Sequence, residues 1–131
     1  MYYFNKIVWS LFLIIISLAW SSSNNTEFRS TWVITWDHIN RYENSGQNLY
    51  RLRTIMDDHV DANMNAVIFQ VRQGGTAYYE SSYEPWGHYT GYQYPGYDPL
   101  AVAIEEAHSR GLELHAWFNV FQTSSTYDGS P

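Results

Sequence analysis

The chain has no cysteine among its 131 residues. That excludes disulfides, thiolate metal sites and a cysteine nucleophile. It also excludes a membrane anchor built on an acylated cysteine. Basic residues are scarce, with seven Lys and Arg against thirteen Asp and Glu, for a net charge of −6. Phosphate backbones are bound by clustered Lys and Arg, so the composition argues against a nucleic-acid partner. Charged residues make up only 15%, too few for a disordered polyelectrolyte. No glycine-rich phosphate fingerprint follows the first predicted strand, which weighs against a dinucleotide-binding fold.

Aromatic side chains are abundant instead. They reach 18%, with six Trp and twelve Tyr, in a chain that is 45% hydrophobic. Such rings fill cores well. Many of these, however, lie in polar, Gly-rich stretches unlike a core. Flat aromatic faces also stack on the C–H faces of sugar rings, so carbohydrate is a candidate ligand from composition onward.

Residues 1–23 read as a signal peptide, or as an N-terminal anchor if uncleaved. Lys6 is followed by an apolar run from Ile7 to Trp20, broken only by Ser10 and Ser17. That run is short of the roughly 20 residues that cross a bilayer. Ala19 and Ser21 to Ser23 offer a cleavage region, and 24–28 form a linker. The protein is therefore expected to be exported to the periplasm, the cell surface or the medium.

Beyond the linker, strands and helices alternate. Thr31 to Trp36 has the β-branched and aromatic content of a strand. A polar loop runs from Asp37 to about Gln47. Leu49, Leu52, Ile55, Met56 and Val60 then mark one face of a helix over about 48–62. Ala66 to Arg72 is the second strand, followed by a long loop from Gln73 to Tyr97. Asp98 as N-cap, Pro99 at the first helical position and Gly111 past the end frame a second helix. Its apolar stripe is Leu100, Ala103, Ile104 and Ala107. Leu112 to Asn119 is the third strand. This order predicts an α/β fold with parallel strands joined through helices.

Strand side chains alternate between faces. In the second strand Val67, Phe69 and Val71 oppose Ile68, Gln70 and Arg72. In the third, Leu112, Leu114, Ala116 and Phe118 oppose Glu113, His115, Trp117 and Asn119. Each strand thus has a greasy face and one that turns polar toward its C-terminal end. A β/α barrel accounts for this, because its chemistry sits on the rim at the carboxyl ends of the strands. Gln70, Arg72, His115 and Asn119 are the binding candidates on that reading. Glu113 is deeper and suits a partner role for a buried Arg. The loop after the second strand carries Tyr78, Tyr79, Tyr83, Trp86, Tyr89, Tyr92, Tyr94 and Tyr97. Loops this long are usually functional, although some of these rings, Tyr97 among them, are expected to pin the loop down.

Several ordered segments carry a family resemblance. They are Asn65 to Arg72, Ser81 to Trp86, Gly96 to Leu100, Ile104 to His108 and Arg110 to Asn119. Together they resemble the glycosyl hydrolase-like 10 family of exported bacterial barrel proteins. The resemblance covers nearly everything from about Phe28 onward. It implies the first three β/α units of a (β/α)8 TIM barrel within 29–131, truncated relative to the roughly 250 residues of a whole barrel. It also implies glycoside hydrolysis of a polysaccharide or oligosaccharide, with bacterial cell-wall glycan as one substrate class. Carried over by the resemblance, the substrate-binding set is Gln70, Arg72, Tyr79, Trp86, His115, Trp117 and Asn119. Two departures from the family pattern stand out. Gln73-Gly74-Gly75-Thr76 replaces Pro-Ala-Gly-Asp, and Val120-Phe121-Gln122 replaces Pro-Tyr-Arg.

Glycoside hydrolysis normally uses two carboxylates, about 5–5.5 Å apart for retention or about 6.5–9.5 Å for inversion. The catalytic pair is not identifiable in this chain and is expected beyond Pro131. Asp37, after the first strand, is the one carboxylate weighed here for a direct catalytic role. Glu80 and Glu84 suit binding or positioning, Asp98 a cap, and Glu105 and Glu106 a solvated helix face. No cofactor or resident metal is implied. Two rival readings remain open at this stage. One is a metal-dependent polysaccharide deacetylase or amidohydrolase, and the other is a carbohydrate-binding protein without catalysis.

Overall fold

The backbone forms three parallel strands in chain order, with helices between them packed on one face. The computed structural model describes residues 27–121. Residues 1–26, with the expected signal peptide, and the residues after Phe121 lie outside the described residues. Strand β1 is Ser30–Val33, followed by a one-turn helix α1, Thr35–His38, and a long helix α2, Ser45–Asp61. Strand β2 is Ala66–Gln73, and a two-residue strand β3, Thr76–Ala77, folds back on it. A 3-10 turn at His88–Thr90 precedes helix α3, Pro99–Ser109, and strand β4, Glu113–Phe118. β2 lies in the middle, parallel to β1 on one side and to β4 on the other. This is an α/β fold with the predicted strand order.

The core lies between the greasy sheet face and the helices. Val33, Val67, Phe69 and Val71 meet Leu52 and Met56 of α2, Ala103 and Ala107 of α3, and Leu112. Each large side chain buried this way contributes about 1.5–3 kcal/mol. The predicted helical stripes are right at their centres and wrong at their edges. Leu52 and Met56 are fully buried, while Val60 and Ile104 are 44% and 37% exposed. Leu112, just before β4, is buried, whereas Ala116 and Phe118 on the strand are exposed.

The first strand is shorter than Thr31 to Trp36. It stops at Val33, and Thr35 and Trp36 belong to α1. The reason is a contact distant in sequence. The Thr35 N–H donates to Gln70 Oε1 at 3.1 Å, and the Thr35 hydroxyl donates to Gln73 Oε1 at 2.8 Å. Side chains at the end of β2 thus take the hydrogen bonds that would have extended β1, and propensity yields.

Helix α2 begins three residues earlier than its apolar pattern suggests. Asn44 and Gln47 form a reciprocal capping box, with both bonds at 3.0 Å, which satisfies two of the first turn's free donors. Its other end is tied to β1. His59 Nδ1–H donates to Ile55 O, and Nε2 lies 2.7 Å from the Thr31 hydroxyl.

Helix α3 is capped as predicted. Asp98 Oδ1 accepts from Leu100 N and Ala101 N at 2.9 and 3.0 Å. Gly111 has φ +74°, and Leu112 N–H returns to Ala107 O at 3.0 Å, closing the helix through a left-handed residue. Glu106 is not solvated as expected. Its side chain is 17% exposed and paired with Arg53 and Arg110, each at 2.6 Å. Those two cations, Arg110 first, hold its carboxyl below the usual range. Arg110 also reaches Asp57 at 2.6 Å, so this network clamps α3 to α2.

Candidate functional site

The carboxyl ends of β2 and β4 meet at an irregular register. Ile68 pairs with His115 and Gln70 with Trp117, but Arg72 pairs with Phe118 rather than Asn119. The extra residue at this point is a β-bulge, which re-aims the side chains beyond it. The predicted alternation therefore holds through Gln70 and breaks before Arg72.

Below the bulge, register places Trp32, Ile68 and His115 on one level of the sheet face opposite the core. Trp32 and Trp117 meet edge to face, with ring centroids 4.8 Å apart at 90°. Trp32, on the edge strand, is 63% exposed among the described residues. His115 Nε2 lies 3.1 Å from Glu113 Oε2, and its ring meets Phe28 edge-on at 5.1 Å. The partner of Glu113 is therefore His115, not a buried Arg.

Gln70 is completely buried. It holds the β1–α1 corner through Thr35, while its backbone carbonyl accepts from His38 Nε2–H at 3.3 Å. His38 is also fully buried, and its ring lies against Phe69 at 4.1 Å. Burial pushes its pKa down to about 3, partly opposed by the bond to Gln70.

Above the bulge, Arg72 is the hub. Its Nε donates to both Glu84 oxygens at 2.8 and 2.9 Å, and Nη2 lies 2.6 Å from Oε1. Its Nη1 donates to the carbonyls of Asn119 and Val120. Asn119 N–H returns a bond to Arg72 O at 3.3 Å. The carboxylate of Glu84 holds the Arg72 guanidinium protonated above its ordinary pKa. Ser81 Oγ accepts from the Glu84 N–H at 3.2 Å and fixes the turn that delivers the carboxylate.

Tyr79 and Trp86 occupy the loop, as expected, but each leans on protein. Tyr79 packs on the core and meets the Phe118 ring at 6.2 Å. Trp86 meets the Tyr94 ring at 5.7 Å and bridges to Ala77 through the backbone. Tyr97 is buried, and burial pushes its pKa up to about 12. Asp37 is exposed and sits apart from the others. It borders a cleft of about 900 Å³ between β1 and α2, together with Trp32, Trp36, Tyr50 and Asp58. None of the seven residues named as substrate-binding lines that cleft.

The structure thus joins Arg72 to Asn119, sets Gln70 beside Trp117, and leaves Trp86 and Asp37 separate. Sequence reasoning missed Glu84 as the partner of Arg72, because the pairing spans a turn set by Ser81. It also missed Trp32, although alternation along the first strand would have aligned it with Ile68.

These features define an α/β unit whose polar and aromatic groups gather at the carboxyl ends of parallel strands. Residues 27–128 match the family model for glycosyl hydrolase-like 10, and the chain belongs to that family. It is similar to the glycosyl hydrolase YngK of Bacillus subtilis (strain 168), with 36% identity over 123 residues. That alignment covers 88% of this chain and 24% of YngK. It is also similar to the glycosyl hydrolase DigH of Escherichia coli (strain K12), with 45% identity over 71 residues. Here the coverage is 51% of this chain and 16% of DigH. The chain spans no more than about a quarter of the length of either relative.

Proposed function

We propose that this chain is the N-terminal part of an exported (β/α)8-barrel glycoside hydrolase acting on a polysaccharide, with bacterial cell-wall glycan as the substrate class. Three parallel strands in chain order, joined through helices, are the arrangement from which such a barrel is built. Membership of a glycosyl hydrolase-like family and two relatives named glycosyl hydrolases support the reaction class. The observation that carries the site is the register of Trp117 with Gln70 at the carboxyl ends of β4 and β2, the end at which barrel enzymes do their chemistry. Aromatic surface flanked by a few polar groups is the usual make-up of a ligand site. On this reading the chain supplies glycan-binding groups, and the two carboxylates that break the bond come from other parts of the whole protein.

Retention of the 131-residue chain on purified cell-wall glycan tests the proposal. The chain should be retained, should release no new reducing ends by itself, and should lose retention as Trp117→Ala. Passage of the folded wild-type chain straight through the glycan column would overturn it.

A further inference from the structure

A second aromatic surface lies at the same end of the sheet, outside every residue discussed as substrate-binding. Its origin is the one-turn helix α1. Thr35 and His38 are fully buried, drawn in by Gln70 and Gln73. A single helical turn that buries those two positions leaves Trp36 and Asp37 outside. Trp36 is 47% exposed. From it a row of rings runs along the loop that follows β2. Trp36 meets Tyr89 at 5.8 Å, Tyr89 meets His88 at 5.2 Å, and His88 meets Tyr92 at 5.8 Å.

The row is held in place. Tyr89 N–H donates to the hydroxyl of buried Tyr78 at 3.4 Å, and the Tyr92 N–H donates to Gly87 O at 3.0 Å. Tyr92 has φ +61°, a left-handed conformation that costs an aromatic residue roughly 1 kcal/mol or more. Yet its side chain is 61% exposed, so the strain is not offset by burying the ring.

The chemistry of the row is mixed. Flat ring faces alternate with hydrogen-bonding edges at Tyr92 Oη and His88, 3.4 Å apart, and the exposed Asp37 carboxylate adjoins Trp36. A pyranose has the matching character, with apolar C–H faces and a rim of hydroxyls. A purely apolar partner would cover the exposed Asp37 carboxylate without giving it a hydrogen bond, which is costly once water is excluded.

We infer that Trp36, Tyr89 and Tyr92, with Asp37, form an accessory subsite that stacks successive pyranose rings of an oligosaccharide leading to the Trp32–Trp117 face. This rests on the glycan reading proposed above and extends it from a single site to a chain-length preference. The row takes more than one ring-to-ring step, so its contribution grows with the length of the bound sugar.

The test is titration of the 131-residue chain with N-acetylglucosamine disaccharide and tetrasaccharide, followed by calorimetry. Trp36→Ala and Tyr92→Ala should each weaken tetrasaccharide binding about tenfold, equivalent to about 1.4 kcal/mol, and leave disaccharide binding unchanged. Trp36→Tyr should keep most of the affinity, which separates lost stacking from misfolding. If the alanine variants, folded by circular dichroism, bind tetrasaccharide like the wild type while Trp117→Ala does not, the subsite is overturned and the glycan site stands. If the wild type binds neither sugar, both fall.

Discussion

Arg72 grips Glu84 through two nitrogens, Nε at 2.8 and 2.9 Å from the carboxylate oxygens and Nη2 at 2.6 Å from one of them. The same guanidinium holds the carbonyls of Asn119 and Val120. One side chain therefore fastens the loop after β2 to the segment after β4. A forked pair of this kind exceeds a simple surface pair in both strength and geometric demand. A double-mutant cycle of Arg72→Met and Glu84→Gln should give a coupling energy of about 1 kcal/mol in denaturant unfolding. Arg72→Lys should recover only part of it, because an ammonium cannot make the fork. Cleavage within residues 73–97 by limited proteolysis should rise in every one of these variants. Zero coupling would mean that the pair closes nothing.

Acid sensitivity should trace to His38. Its pKa is about 3 in the folded chain against an ordinary value of 6.5. Below pH 6.5 the unfolded chain takes up a proton that the folded chain refuses. Stability from this residue is complete above about pH 6.5 and falls as the pH drops toward 3. The slope approaches about 1.4 kcal/mol per pH unit. Unfolding midpoints of the wild type and His38→Gln, measured from pH 7.5 to 4, should converge as the pH falls. Parallel curves would show that His38 is not the group responsible.

Asp98 should matter more than an ordinary helix cap. Its Oδ1 receives two N–H groups of α3, and its Oδ2 receives Glu80 N–H at 2.9 Å. Asp98→Ala removes the cap and a loop anchor together and should cost about 2 kcal/mol, at the upper end for caps. Asn44→Ala, which removes only the cap of α2, should cost about 1 kcal/mol. Urea denaturation of the two variants side by side gives the comparison, and equal losses would remove the anchoring role of Asp98.

The parts of the fold that were legible in the sequence are those fixed by neighbours along the chain. Asp98, Pro99 and Gly111 bracket α3 through contacts a few residues long. The apolar alternation of Val67, Phe69 and Val71 needs only the pleat. What escaped depends on contacts between distant segments. Thr35 and Trp36 read as strand, because nothing local announces that Gln70 will take the Thr35 N–H. Glu106 read as solvated, because Arg53 lies on another helix. Among the site residues, Trp117 and His115 sit on the predicted face in register with Gln70 and Ile68. The surroundings of Arg72 were hidden by an irregularity that leaves no compositional trace.

That irregularity divides β2 into two parts with separate obligations. Ala66 to Phe69 are locked in step with β1, and Ala66 to Gln70 with β4. Past the bulge, Arg72 answers to Phe118, β3 and the loops. Val71 still packs in the core and Gln73 still holds Thr35, so only the turn at Gly74 and Gly75 is free of both strands. Gln73 and Thr76 on either side of that turn pair with each other across β2 and β3. The bulge works as a slip joint: Val71 keeps its place in the core while the residues after it take their register from β3 and the loops.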